Sequence, residues 1–163
     1  MAAKAEPEAR MDLILWRHAE AEEEGELGGD LSRRLTPKGE KQASRMAAWL
    51  DRQLPDGARV YASPAVRTEQ TVVALGRKYR LRDELAPDGT PEQLLQLVQW
   101  PHTKGATLVV GHQPALGRVI AQLLGLQEPE CTVRKGAVWW LRQREREGAK
   151  QTVVVTVQTP ELQ

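Results

Sequence analysis

The chain has 163 residues, enough for one domain with a full core and too few for two ordinary ones. Its 23 basic and 22 acidic residues nearly cancel, so no broad field favours nucleic acid or an anionic membrane, and any anion site must be built locally. The single cysteine, Cys131, excludes an internal disulfide framework; no stretch has the shape of a secretory signal and no apolar run approaches a membrane span, so the expectation is a cytoplasmic protein.

Residues 1–10, rich in Ala, Glu and Lys, carry no apolar period and read as a disordered lead-in to a single domain over residues 11–163. Leu13 to Trp16 is the continuous apolar run of a strand buried on both faces, and it stops at Arg17-His18. Residues 21–30 are acidic and glycine-rich, which suits a loop beside that strand end. Thr36-Pro37 opens a helix with Ala43, Met46, Ala47, Leu50 and Leu54 at core spacing, and Pro55-Asp56-Gly57 ends it. Arg59 to Ala62 is a short strand. Ser63 as N-cap and Pro64 after it predict a helix running to about Tyr79, with Arg67 in its first turn. Residues 80–85 suit an edge strand and residues 86–89 a turn.

Thr90-Pro91 opens a third helix in which Thr90 and Gln93 have capping-box spacing and Leu94, Leu95, Leu97 and Val98 form the buried stripe, ending before Pro101. Ala106 to Val110 is a second continuous apolar strand. It ends in Gly111-His112, and Gln113-Pro114 starts a helix with Leu116, Val119, Ile120, Leu123 and Leu124 at core spacing. Residues 137–141 and 152–157 read as an antiparallel hairpin joined by a charged turn over residues 142–150. Strands alternating with helices and closed by a hairpin define an α/β fold, with a mainly parallel central sheet covered on both faces.

Three strand-to-helix junctions thus carry unusual polar residues: Arg17-His18, Arg67 and His112. In an open α/β sheet such junctions converge on one edge, where helix N-termini favour an anion. Histidines, arginines and helix N-termini together describe a phosphate pocket, because the planar guanidinium fork matches phosphate oxygens and stays charged at any working pH. A neutral imidazole there can take a phosphoryl group and release it to water. Metal chemistry ranks well below this, since adjacent arginines repel a divalent cation, and no cofactor is expected.

Arg17-His18, Arg33-Arg34-Leu35-Thr36-Pro37-Lys38-Gly39, the segment from Ser63 to Thr71, and Gly111-His112-Gln113-Pro114 together resemble the histidine phosphatase, or phosphoglycerate-mutase-like, superfamily. The likeness is greatest to small bacterial phosphohistidine phosphatases of the SixA type. It runs from about Asp12 to about Val157 and implies the three-layer sandwich of that superfamily. By this resemblance His18 is the nucleophile that becomes phosphorylated, while Arg17, Arg67 and His112 hold the phosphoryl oxygens. Arg33 matches a further arginine of the family's phosphate site, although spacing alone leaves Arg34 as an alternative. The implied partner is a phosphohistidine protein, or else a small phosphorylated metabolite.

The chain departs from the family pattern at two places. Ala19 stands where glycine is common after the nucleophile, so the backbone there must accept a Cβ, which argues against a positive φ. No acid clearly fills the place of the proton donor after the third strand, and Glu84 and Asp88 are the candidates. His102 reads as a surface residue, Trp139-Trp140 as core filling, and Asp30 and Glu20 as neutralisers of neighbouring arginines.

Overall fold

The computed structural model describes residues 10–26 and 28–163. Most of the lead-in read from the sequence lies outside the described residues, but Arg10 already pairs with Arg144 as the first residue of β1. In chain order the elements are β1 (Arg10–Arg17), α1 (Pro37–Gln53), β2 (Arg59–Ala62), α2 (Val66–Val73), β3 (Arg80–Leu81), α3 (Pro91–Leu97), β4 (Gly105–Gly111), α4 (Ala115–Leu124), β5 (Val138–Arg146) and β6 (Ala149–Gln158). Short 3-10 turns at Asp30–Ser32, Asp83–Leu85 and Pro160–Leu162 complete them.

The strands form one sheet in the order β3-β2-β4-β1-β5-β6. The pairs β3-β2, β2-β4 and β4-β1 are parallel, and β5 and β6 are added antiparallel. Alternation along each central strand sends side chains to two separate cores. On one face Ile14, Trp16, Val60, Leu108 and Val110 pack against α1 and α2 through Met46, Leu50 and Val72. On the other, Leu13, Leu15, Val109 and Leu141 pack against α3 and α4 through Leu94, Leu116 and Ile120. The three-layer α/β sandwich expected from the sequence is therefore present.

The helix starts follow local chemistry. Thr36 caps α1 by accepting from Gly39 N at 3.0 Å, and Thr90 and Gln93 form the reciprocal capping box of α3. Gly39 has a second role, because a Cβ there would run into the Glu20 carbonyl. The first turn of α1 thus lies directly against the segment that leaves β1.

Three elements differ from the sequence reading. The edge strand read over residues 80–85 keeps only Arg80–Leu81, since Leu85 N and Ala86 N donate to the Arg82 and Asp83 carbonyls and curl Asp83–Leu85 into a 3-10 turn. The helix α2 begins at Val66 rather than at Ser63-Pro64, and stops at Val73 rather than near Tyr79. Ser63 is not its cap, since the Ser63 hydroxyl accepts from Ala65 N and meets a ring nitrogen of His112. At the other end Leu75 N and Gly76 N donate to the Val72 and Val73 carbonyls, and Gly76 takes a positive φ that breaks the helix. The terminal hairpin is also tighter than expected. Residues 142–146 and 149–151 are strand, and only Glu147 and Gly148, at φ 53° and 78°, make the turn. Positive φ at both central residues matches the right-handed twist of the flanking strands.

Trp139 and Trp140 each pack against one of the two cores. Trp140 meets Trp49 edge-on at 6.2 Å, and its Nε1 donates to Asp12 at 3.1 Å. Asp12 also accepts from Arg142 Nε and Nη2 at 2.7 and 3.0 Å, which ties β1 to β5 through a buried carboxylate. Replacing it strands an indole N–H and a half-buried guanidinium. Asp12→Ala is expected to lower unfolding free energy by about 2–3 kcal/mol in urea titrations with unchanged slope, while the site at the far end of β1 keeps its activity.

Candidate active site

The parallel register places Arg17 beside Gly111, so the chain leaves β1 and β4 at the same level. His18 N donates to the Gly111 carbonyl at 3.1 Å, and Gly136 N to the His18 carbonyl at 3.0 Å. The two imidazoles, nearly fully buried, lie with ring centroids 5.2 Å apart. From β2, the adjacent strand, the chain turns through Ser63 into α2, whose second residue is Arg67. Its guanidinium Nε sits 3.4 Å from His18 Nε2 and its Nη2 3.3 Å from His112 Nδ1.

The tautomer of His18 follows from its partners. A carbonyl oxygen offers only lone pairs, so Nδ1, 2.7 Å from the Ala19 carbonyl, carries the hydrogen and donates it. That leaves the Nε2 lone pair directed at Arg67, toward the space between the residues. On His112, Nδ1 faces Arg67 while Nε2 lies 2.8 Å from Ser63 Oγ and 3.2 Å from Thr68 Oγ1. A guanidinium can only donate, so here His112 Nδ1 accepts from Arg67 Nη2 and Nε2 carries the hydrogen, which the Ser63 hydroxyl accepts.

Ala19, fully buried and outside the positive-φ residues, fits the Cβ as expected, and its N–H donates to Thr71 Oγ1 at 3.1 Å. The buried hydroxyls of Ser63 and Thr68 meet His112, and that of Thr71 holds Ala19 N, so the three anchor the two histidine-bearing turns; no spacing in the sequence singles out this role.

The arginines are arranged unequally. Arg17 Nη1 donates to the Val133 carbonyl at 2.8 Å, and its buried Nε has no partner among the described residues. Arg33, not Arg34, turns inward, with Nε 2.6 Å from the Glu22 carbonyl and Nη1 3.0 Å from Asp30 Oδ1; Arg34 is exposed. Asp30 pairs with arginines as the sequence suggests, with Arg33 and also with the distant Arg67, whereas Glu20 pairs with the Thr36 hydroxyl instead of an arginine. Glu84 is held by Arg82 at 2.8 Å and Asp88 is exposed; neither hydrogen-bonds to His18, His112 or the three inward arginines. His102 is exposed, and Cys131 contributes its backbone to hold Gln113 and Gly117.

Electrostatics follows from this crowding. Burial pushes His18 down to about 3; its bond to Ala19 is the next largest effect and opposes this, and the charges of Arg67, Arg17 and Arg33 add smaller downward pushes. Burial and the neighbours His18 and Arg67 push His112 down to about 3 as well, with Asp30 opposing. Arg17 is lowered by burial and by Arg67. Both imidazoles are neutral near pH 7. Three guanidiniums against the one carboxylate of Asp30 leave two uncompensated positive charges, the match for a phosphoryl dianion.

In sequence and fold the chain is similar to known phosphatases. The profile of the histidine phosphatase superfamily (branch 1) matches residues 13–88. The phosphohistidine phosphatase SixA of Escherichia coli is 30% identical over 127 residues, spanning 73% of this chain and 78% of that protein. A phosphohistidine phosphatase SixA homolog of Haemophilus influenzae is 28% identical over 134 residues, spanning 73% of this chain and 80% of that protein. Among solved structures, that of the protein histidine phosphatase SixA complexed with tungstate gives a TM-score of 0.77 at 25% identity, covering 94% of this chain and all of the other.

The depressed histidines have a measurable consequence. The imidazole C–H resonances of His18 and His112 are expected to keep their neutral shifts from about pH 8 to about pH 5 in the free protein. In the unfolded chain both titrate near the ordinary 6.5, so between that value and about 3 the unfolded state binds more protons. Their contribution to stability is complete above pH 6.5 and is lost as pH falls toward 3; a melting temperature that rises on acidification through this window contradicts it.

Proposed function

The chain belongs to the histidine phosphatase superfamily, and from that membership we infer that it hydrolyses phosphohistidine on a protein through a covalent intermediate on His18. The observation that carries the reading is the neutral His18, its Nδ1 tied to the Ala19 carbonyl and its Nε2 lone pair directed at Arg67. The names of the SixA relatives supply the substrate class.

In the first half-reaction a bond forms from His18 Nε2 to phosphorus while the substrate's phosphorus–nitrogen bond breaks. The departing electron pair goes to the substrate imidazole, which leaves as a neutral ring when its other nitrogen already carries a proton. Arg17 and Arg67 supply N–H donors to the phosphoryl oxygens, with Arg33 adding charge behind them. His112 joins them once a phosphoryl oxygen comes between its Nδ1 and Arg67 and the Ser63 or Thr68 hydroxyl donates to Nε2, because the hydrogen then sits on Nδ1, facing the phosphoryl group. In the second half-reaction water adds to phosphorus, the bond to His18 breaks and inorganic phosphate is released.

Such a substrate also fits what surrounds the pocket. A leaving imidazole needs less help than an alkoxide, which suits a site where Glu84 and Asp88 make no bond to the central residues. From Ser63 to His112 the chain is used up by helices and short turns, so no long insertion forms a lid and a side chain on another protein has access. Among the described residues no helix is long and apolar enough to cross a membrane; the proposed location is the cytoplasm.

His18→Ala is expected to abolish both phosphohistidine hydrolysis and the acid-labile phosphoenzyme, and retained turnover removes His18 as nucleophile. His112→Ala should still form phosphoenzyme but about 10²- to 10³-fold more slowly in rapid-quench experiments. On one preparation, a phosphohistidine peptide should turn over faster than a sugar phosphate; the reverse order points to a small-molecule phosphomonoesterase.

A further inference from the structure

We propose that Asp30 is a positioning residue which sets the orientation of Arg67 for phosphoryl transfer by clamping the edge of the guanidinium that faces away from the two histidines. This rests on the reading of His18 as nucleophile and extends it to a residue of the acidic loop. A guanidinium has five N–H groups on two usable edges. The Asp30 main-chain carbonyl accepts from Arg67 Nη1 at 2.8 Å and the Asp30 carboxylate from Nη2 at 3.1 Å, so the edge between Nη1 and Nη2 is taken. The remaining edge, Nε with the second Nη2 hydrogen, is the one presented to His18 Nε2 and His112 Nδ1. A phosphoryl group passing to His18 lies against that second edge.

The other carboxylate oxygen of Asp30 holds Arg33 Nη1, and Arg33 Nε is fixed on the Glu22 carbonyl. One carboxylate thus spaces two guanidiniums that otherwise repel. The side chain of Asp30 is 54% exposed, and an isolated ion pair at such a site adds little stability. Its partner Arg67 is 4% exposed, so what the contact fixes is direction in a buried group. Asp30 cannot serve as the proton donor, because its bonds to Arg33 and Arg67 hold it below the usual carboxylate range against the opposing effect of burial.

Two rival roles make different kinetic predictions. An anion merely occupying the phosphate site competes with substrate, so its removal lowers KM and leaves kcat unchanged or higher. A positioning carboxylate misaligns the donors when lost, so kcat falls although oxyanion binding, relieved of a nearby negative charge, does not weaken. For Asp30→Asn, which keeps size and one acceptor, we expect kcat for a phosphohistidine peptide to fall about 10- to 100-fold with KM not raised. The Arg67 Nε–H resonance should be sharp and exchange-protected in the parent and should broaden or vanish in the variant, while the thermal midpoint stays within about 2 °C. Asp30→Ala should show the same changes, larger.

An unchanged kcat in both variants, with or without a lower KM, overturns the proposal; so does a fall in kcat matched by a loss of thermal stability with the Arg67 signal intact. His18→Ala, run alongside, separates the two levels. If it still turns over, the nucleophile reading fails, and the Arg67 resonance alone then decides whether Asp30 sets the guanidinium.

Discussion

The site depends on one constraint, the adjacency of β1 and β4 in a parallel register that puts Arg17 level with Gly111. Both strands are buried on both faces, so their side chains are committed to two different cores and the register has no freedom to slip. A shift of one residue would send Leu13 and Leu15 into the layer of α1 and α2, and would carry His18 to the opposite side of the edge. With the register fixed, the bond from His18 N to the Gly111 carbonyl joins the two exits, and the imidazoles come within 5.2 Å without any bond between their rings. Apolar packing far from the chemistry thus sets the spacing on which the chemistry relies.

The electrostatics is a second consequence of the same packing. Closing the strand ends buries His18, His112 and Arg67 together, and burial opposes further charge on the imidazoles. The arginines stay charged because guanidinium is too basic to do otherwise, so the histidines yield and remain neutral. An uncharged imidazole beside an excess of positive charge suits the phosphoryl transfer to nitrogen proposed for His18. Asp30 offsets part of that excess from the rim, where it also joins Arg33 to Arg67.

Most of the fold was legible in the sequence because it is written in local patterns. The runs Leu13–Trp16 and 106–110, the Thr-Pro helix starts and the core spacing of α1 and α4 each occupy one short window. The proposed site residues were legible for a different reason: they stand at the ends of those runs, and their order resembles a family. What escaped was cross-chain. Ser63 looks like a helix cap, yet α2 starts only at Val66 and the Ser63 hydroxyl meets His112 at the exit of β4. The tight hairpin turn was hidden because Arg142–Arg146 is polar, yet Asp12 and the neighbouring strands keep it extended. The acidic loop gave no periodic signal by which Asp30 could be matched to Arg67, or by which Arg33 could be chosen over Arg34.

The place of the missing acid bears on why such a site would act on nitrogen rather than oxygen. The leaving group of a phosphomonoester is an alkoxide, a strong base whose departure is speeded by a general acid, commonly a carboxylic acid, held over the leaving atom. The loop that follows β3 does carry carboxylates, but Glu84 is occupied by Arg82 and Asp88 is turned to solvent. Asp30, the carboxylate that does reach the cluster, is bound by two arginines and kept ionised, the wrong state for an acid. The carboxylates near this edge therefore serve to orient and balance arginines. A leaving group that brings its own proton, as an imidazole protonated on its second nitrogen does, is the kind that such a site can expel.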